Sequence, residues 1–191
     1  MTDELAVASA TNFVAHGQHF LDVVNQVAEN ENQESNLVLL LLALADLLAA
    51  GSRLGAVSDV LPELRFEPDD GREPELEELR EKLTQALKGL DEYVEVVDPI
   101  VEPELEAGQI TADLVAIATQ IIYGMNHYLA GQITEAAWWW QYSYFSDWAD
   151  RAVVALRVVQ RFLIHARLDI PADVVQEAQF EALHSEILNL D

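Results

Sequence analysis

The chain contains no cysteine. Disulfide bridges and thiolate metal sites are therefore excluded, and a reducing compartment fits the composition. Basic residues are scarce too: ten Lys and Arg stand against 34 Asp and Glu, and Lys82 and Lys88 are the only lysines. The net charge of −24 argues against nucleic acid as a partner, because phosphate contacts need a basic surface. Anionic membranes are disfavoured for the same reason. The segment Met1–Leu5 carries acids instead of the basic region that opens a secretory signal, so the expected location is the cytoplasm. The longest apolar run, Leu37–Gly51, has 15 residues and includes Asp46, short of the about 20 needed to span a bilayer. Sustained alternation of period two is absent, which leaves no sequence signal for a sheet. Nucleophile elbows, glycine-rich phosphate loops and internal repeats are missing as well, so the sequence declares no reaction and implies no cofactor.

What remains is a chain of 191 residues with 51% apolar content, enough for one domain with a large core. Its periodicity is helical almost throughout. Leu5–Glu29 repeats apolar residues at Val7, Phe13, Val14, Phe20, Leu21, Val24 and Val27, close to a period of 3.6. The polar stretch Asn30–Ser35 interrupts it, Ser35 or Asn36 is placed to cap a leucine-rich second helix, and Gly51 and Gly55 are placed to close it. A loop is expected over Pro62–Pro74. A third helix is expected over Glu73–Leu90, where Gly89 ends or kinks it. Tyr93–Val97 reads equally as a helical turn or an extended piece, bounded by Pro99 and Pro103. A fourth helix runs from a cap at Thr111 to Ala130 and stops at Gly131. A long penultimate helix opens at Thr134 and reaches Arg167, about 50 Å at 1.5 Å per residue, with a kink expected somewhere over Ser146–Ala149. The fold class is all-α, a bundle of five to seven helices in one domain over residues 1–170. An amphipathic appendage at 171–191 follows, carrying Val174, Val175, Ala178, Leu183, Ile187 and Leu190.

The long helix carries the strongest local signal. Trp138, Trp139 and Trp140 run into Tyr142, Tyr144, Phe145 and Trp148, seven of the chain's fifteen aromatic residues. Three successive side chains fan over about 200° of a helix, more than one core-facing stripe can hide. Trp138, Tyr142, Phe145, Ala152, Leu156, Val159 and Leu163 form one stripe, expected to be core. Trp140, Tyr144, Trp148 and Arg151 form a second, expected to face another subunit or a ligand, since tryptophan, tyrosine and arginine are the enriched anchors of interfaces.

Charge is uneven along the chain. Between Glu63 and Glu106 there are 16 acids and five bases, whereas residues 107–170 hold five acids and four bases. The four arginines of the second stretch, Arg151, Arg157, Arg161 and Arg167, are placed to pair with the acidic part. The acidity itself suits a well-solvated surface, life in high salt or a cationic partner, and composition leaves these open.

On the fourth helix Asp113, Gln120 and His127 recur every seven positions and make one polar line on an apolar surface. Facing the aromatic helix, with Tyr123 and Asn126 nearby and Asp147, Asp150 and Arg151 across, this line marks a candidate pocket; satisfied interhelical hydrogen bonds are the simpler account. His16, His19 and Asp22 follow one another at spacings of three on the first helix. They are the weak candidates for a metal, since a bundle builds such sites from matched groups on facing helices and no second matched set is present.

The stretch Thr111–Arg157, TADLVAIATQIIYGMNHYLAGQITEAAWWWQYSYFSDWADRAVVALR, together with the leucine-rich helix and LDEYVEVVDP at 90–99, resembles an uncharacterised bacterial family catalogued as a domain of unknown function, DUF5063. The resemblance covers roughly residues 10–165 and implies an all-helical fold with no activity attached. Of the acidic row in the family pattern this chain keeps Asp113, with Ala116 and Gln120 in the other places, and Asp147 and Arg151 stand where the pattern implies histidines.

The function these features point to is association: a non-enzymatic interaction or regulatory module, either a homo-oligomer (a dimer) or bound to a protein partner, with Trp140, Tyr144 and Trp148 as its contact. The alternative is a small-molecule or metal-binding bundle with a pocket between the helices at 111–130 and 134–167.

Overall fold

The computed structural model describes residues 2–56, 59–61, 73–97, 104–168 and 174. The appendage expected at 171–191 and most of the loop expected at 62–74 lie outside these residues. Helix α1 (Thr2–Glu29) and helix α2 (Gln33–Gly55) pack against each other as a hairpin. Helix α3 (Glu77–Ala86) follows, then a β-hairpin of β1 (Glu92–Val97) and β2 (Glu104–Gln109), then helix α4 (Ile110–Leu129). A continuous helical rod completes the fold: α5 (Ile133–Ser143), a π-helical turn (Tyr144–Trp148) and α6 (Ala149–Arg167). The architecture is predominantly α-helical, as periodicity indicated.

The α1 stripe is as expected: Ala10, Phe13, Phe20, Val24 and Val27 are buried, and Gly17 lets α4 approach until Ile121 and Met125 touch its backbone. Val7, by contrast, is exposed. The cap of α2 lies earlier than expected. Asn32 supplies it, its side-chain oxygen accepting the Ser35 amide at 2.9 Å. Asn36 is fully buried and donates its amide to the Asn30 carbonyl.

Gly55 is the last residue of α2, as expected, whereas the helix runs on through Gly51. Both also thin its surface: a Cβ on Gly51 would lie 2.4 Å from the Trp148 ring, and one on Gly55 would lie 2.9 Å from Phe145. Alone among the described helices, α2 is long and apolar enough to cross a membrane, yet 44% of its most apolar window is buried inside the protein, chiefly against α1 and α6.

In the middle of the chain an open reading is decided, and two expectations are corrected, since a two-stranded sheet stands where none was expected and the cap of α4 lies elsewhere. Tyr93–Val97 is extended, pairing antiparallel with β2 in the register Tyr93↔Gly108 and Glu95↔Glu106. Gly108 is what the pairing requires, since a Cβ there would sit 2.3 Å from the Tyr93 ring that lies across it. Thr111 is not the cap of α4. The helix starts at Ile110, and the buried Asp91 reaches across from the start of β1, its carboxylate accepting the Thr111 amide at 2.7 Å and its carbonyl accepting the Ile110 amide at 2.9 Å. A carboxylate at a helix N-terminus satisfies free amides and meets the positive end of the helix dipole. At the other end Gly131 (φ 80°) stops α4 as expected.

Candidate functional site

The rod packs on α1, α2 and α4, and the aromatic residues it turns inward are not those its α-helical period suggests. Trp140 and Trp148 are fully buried, whereas Tyr142 is 51% and Phe145 69% exposed. For the aromatic rings the expected assignment is therefore reversed, while Ala152, Val159 and Leu163 of the first stripe are core as expected. The π turn is the cause. It inserts one extra residue into the helical ladder, so that Trp140, Tyr144, Trp148 and Ala152, spaced by four, stay on one face and join Ala155, Val159 and Leu163 beyond. Before the turn, Trp138 and Tyr142 are left on the outer side, their rings stacked with centroids 5.2 Å apart and planes within 3°.

Trp140 occupies the place where an interhelical pocket was expected. Its ring lies directly on Gly124, where a Cβ would come within 2.1 Å of the indole nitrogen, and that nitrogen donates to the Ile121 carbonyl at 3.1 Å. Phe13 closes the other side, its ring centroid 4.8 Å from that of Trp140 and 5.9 Å from that of Trp148. The apolar centre between α4 and α5 is thus filled by side chains.

The polar line survives along the edge of this seam, and two of its members, Asp113 and Gln120, meet Asp147 and Arg151 from across it. Arg151 donates from Nε to Asp147 at 2.6 Å and from Nη1 to Asp113 at 3.2 Å, and Gln120 donates from Nε2 to the second oxygen of Asp147 at 3.1 Å. One member had no sequence signal: the Tyr93 hydroxyl, brought by β1, donates to the second oxygen of Asp113 at 2.5 Å. Glu95, two residues on, faces Arg157 at 3.6 Å.

Burial pushes the Asp113 carboxyl above the ordinary carboxylate range, against the hydrogen bonds from Tyr93 and Arg151 that favour its charged form. Burial also raises Glu95, assisted by Asp150 and opposed by Arg157. The Tyr93 hydroxyl is raised by burial and by donating to Asp113. Each group already has a partner, so the cluster works as a polar lock joining the hairpin, α4 and the rod.

Farther along the seam, Tyr123 and His127 stand against Trp139, with ring centroids 5.4 Å and 6.4 Å away. His127 Nδ1 contacts Gln132 Oε1 at 2.8 Å. The His127 Nε2 and Trp139 Nε1 atoms are buried without a hydrogen-bond partner. Hence Asp113, Gln120, Asp147 and Arg151 are united, Tyr123 and His127 form a separate cluster, and Trp140, Tyr144 and Trp148 belong to the core side. The metal candidates His16, His19 and Asp22 gain no companion from another helix. Asp22 accepts instead from Gln18 at 2.9 Å, and no metal-sized group of three His, Asp or Glu occurs among the described residues.

Fold and seam define an all-helical bundle clasped by one small hairpin, with a π turn at the centre of its last rod. The chain belongs to the family described as Domain of unknown function (DUF5063), whose profile matches residues 6–165. Among solved structures it is similar to protein BF1032 from Bacteroides fragilis, with a TM-score of 0.64 and 18% identity over 80% of this chain and 90% of that one. That likeness is one of fold. None of the curated proteins matches the chain.

Proposed function

We propose that the protein is a non-enzymatic module that acts by association, through the apolar surface around the outer side of its π turn. The observation that carries this reading is the exposure of Phe145, 69% accessible, and Tyr142, 51% accessible, while the other aromatic rings among the described residues are buried or partly buried. Large rings left in water at one place mark contact surfaces, and aromatic residues are enriched at the centres of interfaces. The contact first assigned to Trp140 and Trp148 moves to this outer side because those indoles are consumed by the chain's own core. The filling of the α4–α5 seam by Trp140 weighs in the same direction, since a small-molecule protein needs a concave site there.

The test is sedimentation velocity on the full chain over a hundredfold concentration range, with Phe145→Ser beside the parent. Association that weakens about tenfold or more in Phe145→Ser, with the thermal transition unchanged, is the expected result. A parent that sediments as a monomer throughout, or a Phe145→Ser variant that associates as tightly, overturns the assignment.

A further inference from the structure

The outer face of α2 is the second apolar surface of the molecule, and its charges are arranged in an unusual way. Leu42 (58% exposed), Ala45, Asp46, Ala49 and Arg53 all face solvent. Their positions fall within one stripe of the helix, since spacings of three, four and seven return to the same side. Asp46 and Arg53 have opposite charge and are seven residues apart, which puts them about 10 Å apart along the axis, on either side of Ala49. Neither has an ion-pair or hydrogen-bond partner among the described residues. Gly55, over which Phe145 lies, is on the other side of α2, about 220° round from Leu42.

This pattern is self-complementary under a two-fold axis through Ala49. Rotating a second copy onto the first runs the two α2 helices antiparallel, so that each Asp46 comes beside the other copy's Arg53. The small side chain of Ala49 allows the helices to approach at the axis. Each Leu42 is carried past the other copy's Arg53, toward the C-terminal end of its α2. A face whose charges cancel against their own image is what allows two chains of net charge −24 to meet, because any other acidic face would confront its like. From this we infer that the outer face of α2 is the interface of a symmetric homodimer, with the Asp46–Arg53 pair, made twice, setting its antiparallel register. The inference rests on the association reading above and names the partner as a second copy of this chain.

Charge reversal tests it on the full chain by sedimentation velocity and light scattering. Asp46→Arg places four arginines around the axis and Arg53→Asp places four acids there, so each variant alone should self-associate about tenfold or more weakly than the parent. An equimolar mixture of the two single variants regains both opposite-charge pairs and should form a heterodimer with affinity near that of the parent. The double variant Asp46→Arg/Arg53→Asp should recover the homodimer. Far-ultraviolet circular dichroism of each single variant confirms that it is folded, and rescue on mixing cannot arise from misfolding.

Self-association that ignores both reversals but is lost in Phe145→Ser overturns the symmetric α2 interface and leaves the association reading standing. A parent that is monomeric at every concentration removes both. Monomeric protein that co-sediments with zwitterionic phosphatidylcholine vesicles, and loses this on Leu42→Lys, assigns the face to lipid and also overturns the dimer.

Discussion

Asp113 shows how much one residue's surroundings decide. Its place on a polar line with Gln120 could be read from a spacing of seven, and so could the facing of Asp147 and Arg151, because all four are on helices whose period is regular locally. Tyr93 and Glu95 could not be read in the same way. They reach the seam by way of β1, whose partner strand ELEAGQ alternates over only four residues and has no β-branched residue, and a pairing of that kind is decided across the sheet. The packed environment has a measurable consequence. A carboxylate whose pKa is raised on folding leaves the native state binding protons more readily than the unfolded chain, so unfolding free energy increases as pH falls through the folded value, and the gain is complete below the unfolded value of about 3.9. Asp113 and Glu95 are both shifted in that direction. The urea midpoint at constant ionic strength should therefore be higher at about pH 4, close to the unfolded value, than at about pH 7. Asp113→Asn should flatten this difference, with Glu95 supplying what remains. An undiminished slope in Asp113→Asn would show that the rise comes from elsewhere.

For the elements, the π turn has the largest effect and the faintest signature. The sequence placed a disturbance near Ser146–Ala149, and the turn at Tyr144–Trp148 overlaps it, but a period count through unbroken α-helix assigned the wrong aromatic rings to the core. One inserted residue rotates everything beyond it by about 100°, enough to exchange inner and outer faces. The aromatic run itself hides the insertion, since a suitable ring is available on every side. Removing the extra residue should restore a plain α-helix with both halves still facing inward. Deletion of Ser146, which is exposed and only caps its own turn by donating to the Tyr142 carbonyl, is expected to leave a cooperative thermal transition. Deletion of the equally exposed Arg157, inside regular α6, should turn Val158, Val159, Phe162 and Leu163 out of the core and abolish that transition. If both deletions behave alike, the register account of the rod is wrong. Glycine has a related role at this scale. Gly51, Gly108 and Gly124 are flat places on which aromatic rings lie, Trp148 and Tyr144 on the first, Tyr93 on the second and Trp140 on the third.

The molecule as a whole is an apolar bundle inside a strongly acidic shell. Self-repulsion from a net charge of −24 destabilises the compact state, and added salt screens it as the Debye length falls from about 30 Å at 0.01 M to about 3 Å at 1 M. The urea midpoint should rise steeply over that range and then level. A continued climb in molar salt would select adaptation to brine among the readings that composition left open, and a flat response from the lowest salt would mean that the charge is too dispersed to matter. Helix content, the break before α2, the stop at Gly131 and the heptad polar line were determined by the sequence alone, because each depends on neighbours within a few residues. Which tryptophans are core, what caps α4 and how the polar line is satisfied were decided only in three dimensions. Those outcomes depend on helical phase accumulated across a one-residue insertion, and on groups such as Asp91 and Tyr93 that arrive from twenty residues away.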